Sequence, residues 1–147
     1  MVSKDFNLKQ FVIIVLITSI WIHISETLRA FFVAFPKMLS FFDGKIQIIG
    51  LDQLELSHAL IWGIWDTILT VVLVFVYWLS RVTFGNNYKA IFISSTLTVF
   101  ATIGIFWIGT INSGLGEWST AFVIMPLAWV ELIIGAWIAS KLYNRIK

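Results

Sequence analysis

Leu56 to Ser80 reads LSHALIWGIWDTILTVVLVFVYWLS, a run whose only charged side chain is Asp66. It is long enough for a helix to cross the ~30 Å hydrocarbon core of a bilayer. It is also too evenly apolar for a barrel strand, which alternates over about ten residues. Lipid leaves the backbone only two solutions, helix or closed barrel, so this stretch is expected to be a membrane-spanning helix.

Three further runs have the same character: 11–35, which Pro36 is expected to end, 90–111 and 120–142. The sequence therefore predicts an all-α integral membrane protein. It is one transmembrane domain over residues 1–147, a bundle of four helices spanning 11–35, 56–80, 90–111 and 120–142. No internal repeat, linker or low-complexity segment divides it. Composition agrees: 59% of residues are hydrophobic, 12% are charged, and there are 13 Phe and 8 Trp. A soluble domain carries about 25% charged residues. Lys4 and Lys9 ahead of the first run resemble the start of a signal peptide, but no A-x-A cleavage pattern follows, so the run reads as a span.

Basic residues set the expected orientation. Lys4, Lys9, Arg81, Lys89, Lys141, Arg145 and Lys147 fall on one side. Lys37 and Lys45 fall on the other, with Arg29 near the end of the first span. Both termini are expected to be cytoplasmic, in a plasma (inner) membrane. The first outer loop contains Asp43-Gly44 among apolar residues Phe41 to Ile48, which predicts a small β-hairpin with a type I′ turn. It serves either as a lid over the outer mouth or as a connector lying among the headgroups.

Several activities are excluded. The formal charge of +2, with no basic patch carrying interleaved aromatics, argues against nucleic acid. The absence of Cys removes disulfides, thiolate metal sites and thiol nucleophiles. There is no phosphate-binding glycine loop and no G-x-S-x-G. His23 and Glu26 give only H-x-x-E, with His58 elsewhere, so neither a metal nor a cofactor is expected.

The functional signal lies in three intramembrane acids, Glu26, Asp66 and Glu131. With span midpoints near His23, Ile68 and Val130, the three share a layer one to two helical turns thick. A central charge costs about 2.5–3.5 kcal/mol on insertion scales, so such residues usually serve a site. Two neighbouring carboxylates at low dielectric do not both ionise. Asp66 or Glu131 is therefore expected to hold a proton unless a cation is bound. Glu26 and Arg29, three apart, are expected to form a structural or gating pair, leaving Asp66 and Glu131 without an evident cation.

Ala59, Gly63, Asp66 and Thr70 share a helix face, as do Ala128, Glu131, Gly135 and Ala139. Ser95, Thr98 and Thr102 form a stripe read as helix adhesion. Trp78, Trp107 and Trp118 are expected at the interfaces. Trp62, Trp65 and Trp129, with Thr70, are expected to line a pocket, their indole N–H groups seeking a carboxylate.

The expected function is a small transporter or channel whose layer of Glu26, Asp66, Glu131 and His23 binds protons or a cation. One alternative is an intramembrane enzyme or receptor for a lipid-like apolar molecule, acting by acid/base proton transfer. The other is an accessory subunit of a larger complex. The expected partners are the bilayer, a small cation or apolar small molecule, and either further copies of the chain or a membrane subunit.

Overall fold

The computed structural model describes residues 6–44 and 55–146. They form four long helices, α1 (Leu8–Phe42), α2 (Leu56–Phe84), α3 (Tyr88–Asn112) and α4 (Trp118–Arg145), each apolar and long enough to span a membrane. No strand occurs among the described residues.

Polar caps start the helices. The Asn7 side chain accepts from Gln10 N at 3.0 Å. Glu55 and His58 cap α2 reciprocally, with Glu55 N donating to His58 Nδ1 at 3.1 Å. Asn87 accepts from the amides of Lys89 and Ala90. Each cap satisfies amides that the first helical turn leaves without a carbonyl. Gly85, at φ +85°, makes the sharp turn between α2 and α3.

Two expectations are corrected here. Pro36 does not end the first helix, which continues to Phe42. A π-helical turn at Ala30–Ala34 precedes the proline. Phe35 N–H reaches back five residues to Ala30 O, and Pro36 opens the α-helical turn that follows, where a missing N–H is least disruptive. At 35 residues, α1 is about 52 Å long and exceeds the hydrocarbon core. Second, Phe41 and Phe42 end a helix rather than begin a hairpin strand. Asp43 and Gly44 adopt positive φ as its left-handed cap. The rest of the expected hairpin, residues 45–48, lies outside the described residues.

Consecutive helices pack side by side, α4 closes the ring against α1, and α2 also meets α4 across it. The bundle is tight at the end where α1 begins and α4 finishes. Ile14, Ile22, Leu73, Val74, Tyr77, Leu132, Ala136 and Ala139 are all buried there. Gly135 is what lets three helices meet. A Cβ at this position would stand 2.9 Å from Leu73 Cδ2 and 3.0 Å from Ile22 Cδ1. This is the close approach that small residues permit in membranes.

A polar clasp finishes this end. Asn86 bonds Tyr77 and Asn144, accepts from Ser140 Oγ at 2.7 Å and donates to Ser140 O at 3.2 Å. The Arg81 guanidinium lies 4.3 Å from the centre of the Tyr143 ring, a cation–π contact.

Among the described residues the opposite end is open. Between Ser25 and Phe42, α1 has no buried residue, and α2 has none before Asp66. There α3 and α4 stay joined through Ile103, Gly104, Trp107, Ala121 and Ile124. Outward-facing Leu16, Ile20, Leu60, Ile64, Ile105 and Val130 give the bundle the apolar coat that lipid requires.

Candidate functional site

The open end converges on Arg29. Its Nε donates to both Glu131 oxygens, at 3.1 and 3.2 Å, while Nη2 pairs with Glu26 one turn earlier on α1. The Arg29 side chain is 9% exposed and each acid 13%, so the triad is largely withdrawn from solvent and lipid. The guanidinium fork suits this role, because it can serve two carboxylates from fixed directions. The expectation that Glu131 lacks a cation is therefore corrected: Arg29 joins α1 to α4 through it.

The π turn begins at Ala30, directly after Arg29. One extra residue per turn rotates the following face by about 100°. It brings Ala30, Phe31 and Phe35 to cavity walls. A second π turn, Phe100–Gly104 of α3, places Ile103, Phe106 and Trp107 opposite.

Two adjoining cavities result. One, of about 240 Å³, lies between α1 and α2 and is lined by His23, Glu26, Asp66, Phe31, Phe35 and Trp62, with Thr27, Ala59 and Gly63 between them. The other, of about 330 Å³, has walls from Trp62, Trp65, Phe106, Trp107, Met38 and Ile124, and reaches Glu26 and Arg29. Glu26, Ala30, Phe35 and Trp62 border both.

Asp66 is 6% exposed. Its backbone carbonyl accepts from Thr70 Oγ1 at 2.8 Å. Among the described residues no donor lies within hydrogen-bond distance of its carboxylate, which faces the smaller cavity. His23 ties the two helices together. Nδ1 lies 2.7 Å from Ser19 O, and Nε2 lies 3.2 Å from Gly63 O on α2. Both neighbours are acceptors; a neutral ring donates to one of them, and only the imidazolium donates to both.

Trp62 and Trp65 border the cavities, whereas Thr70 and Trp129 line neither. Thr70 is fully buried against its own helix. Trp129 turns toward α3, where Nε1 donates to Thr96 Oγ1 at 3.1 Å and its ring meets Phe92 edge-on. The Trp129 indole N–H therefore finds a hydroxyl, and that of Trp21 the backbone carbonyl of Glu131 at 3.0 Å, rather than a carboxylate. Trp107, expected at an interface, is 6% exposed and lines the larger cavity. His58 is occupied in capping α2.

Among the described residues no group of three His, Asp or Glu side chains is arranged to hold a metal ion. Sequence reasoning missed the Arg29–Glu131 bridge and the α3 wall. With Arg29 near the end of its span and Glu131 at the centre of its own, depth gave no signal for the bridge. No signal pointed to the π turns. No family model, no curated protein and no solved structure matches this chain.

Proposed function

We propose that the chain is a small multi-pass membrane transporter in which Asp66 exchanges a proton for a cation. The observation that carries this reading is that Glu26 and Asp66, on facing helices, line one cavity at the open end of the bundle. The layer holds three acids and one guanidinium, which pairs with Glu26 and Glu131, so it carries an excess of negative charge that protons or a cation can balance. Glu26, Arg29 and Glu131 form the fixed part, holding α1 to α4. His23, bridging α1 and α2, passes protons between the cavity and the tight end. With both termini cytoplasmic, as the loop charges argue, the mouth faces outward across the plasma (inner) membrane. A four-helix bundle is thin, and a complete pathway is formed by pairing with another copy.

A second reading, an intramembrane enzyme or receptor for a lipid-like molecule, draws support from the aromatic walls of the larger cavity. The subunit reading is weaker, because the acids turn into the bundle rather than out toward a neighbouring protein.

The test is proton flux into liposomes carrying the purified chain under an imposed cation gradient. Asp66→Asn is expected to lower the flux at least tenfold. Flux unchanged by that substitution removes Asp66 from the mechanism and the transport reading with it.

A further inference from the structure

We infer that the cation bound at Asp66 is the ammonium group of a lipophilic, ring-bearing amine, its head in the smaller cavity and its apolar body in the larger one. This rests on the preceding reading only in taking Asp66 as the cation site.

Three observations carry it. First, among the described residues no hydrogen-bond donor meets the Asp66 carboxylate, and Asp66, 6% exposed, lines the cavity. A buried charge without a partner is costly, and an N–H donor from a ligand relieves that cost. Glu131, by contrast, is already engaged by Arg29. Second, the wall around Asp66 combines Glu26 with the rings of Trp62, Phe31 and Phe35. Ring faces beside carboxylates recognise organic ammonium groups, whereas a bare metal ion requires several oxygen ligands. Third, the adjoining cavity of about 330 Å³ is apolar and walled by Trp65, Phe106 and Trp107. A hydrated inorganic cation gains nothing from such a chamber, while a flat hydrocarbon body gains burial and ring contact. The charge excess of the layer also selects against an anion of the same shape.

Binding then needs no covalent change. The ammonium pairs with the Asp66 carboxylate; where that carboxylate carries a proton, the proton leaves and the charge of the site is conserved.

The experiment is equilibrium dialysis on the full chain in nanodiscs, with empty nanodiscs as the correction for partitioning into lipid. The probes are 3,3-diphenylpropylamine and its neutral counterpart 3,3-diphenylpropanol. The amine is expected to bind saturably and the alcohol at least tenfold more weakly. Asp66→Asn is expected to weaken the amine at least tenfold and to leave the alcohol within about twofold. Trp62→Leu is expected to weaken both. Should Asp66→Asn fail to give a monodisperse, helical protein, Glu26→Gln carries the same expectation for the amine. Equal binding of amine and alcohol, or no saturable amine binding, overturns the inference. Proton flux measured on the same preparations separates the two readings. Flux that depends on Asp66 without amine binding overturns the amine site and leaves transport standing. Amine binding that depends on Asp66 without flux supports the amine site and refutes transport.

Discussion

Replacing Arg29 by Met tests whether the triad holds the bundle together. Met keeps the length of the apolar stem and removes the guanidinium. The structure gives the size of the effect. Arg29 Nε makes two bonds to Glu131, Nη2 pairs with Glu26, and both acids are 13% exposed. Removing one partner of a buried pair costs about 3–5 kcal/mol, chiefly because the other charge is left without compensation. Glu26 borders both cavities and can be partly hydrated there, which places the expected loss near the lower end, about 3 kcal/mol. The same logic makes the loss non-additive. In Glu26→Gln/Arg29→Met/Glu131→Gln no orphan charge remains, so the triple variant is expected to recover about 1–3 kcal/mol relative to Arg29→Met alone. The assay is reversible unfolding in mixed micelles, followed by tryptophan fluorescence and helical circular dichroism. An Arg29→Met protein within about 0.5 kcal/mol of the parent, the scatter of ordinary surface changes, refutes the reasoning. So does a triple variant less stable than the single one.

Two further outcomes concern the tight end. Gly135→Ala is expected to cost about 1–3 kcal/mol in the same unfolding assay, because the new methyl meets the terminal carbons of Leu73 and Ile22, both fully buried, which must shift to admit it. Asn86→Ala removes the acceptor of the fully buried Tyr77 and is expected to cost about 1–3 kcal/mol in thermal unfolding. Adding Tyr77→Phe to Asn86→Ala is expected to restore part of that loss, since the orphaned hydroxyl is then gone.

Legibility in the sequence followed the range of the interaction. Leu56–Phe84 was readable because a long apolar run has one stable answer in lipid, whatever its neighbours do. Gly135 marked a close helix contact, since absence of a side chain is a local fact, whereas Gly63 leaves room for a methyl at ordinary contact distance from His23. Glu26 and Arg29 lie within one turn of one helix, so their pairing followed from spacing. Trp129 was misread because helical phase fixes its face but not which helix that face meets. Thr96 of α3 took its indole N–H. The reach of α1 beyond Pro36 was hidden for another reason: propensity rules treat proline as a stop, and the π turn that accommodates it has no sequence signature.

By itself the sequence determined the four apolar helices, the polar faces along them and the shared depth of Glu26, Asp66 and Glu131, all consequences of hydropathy and helical period. Only the tertiary structure decided that Arg29 serves two acids, that Asp66 lines a cavity with no donor among the described residues, and that α3 supplies an aromatic wall. Those facts depend on which helices are neighbours and where α1 and α2 part. Helix packing sets both through contacts between residues as far apart in the chain as Arg29 and Glu131, which no local pattern encodes.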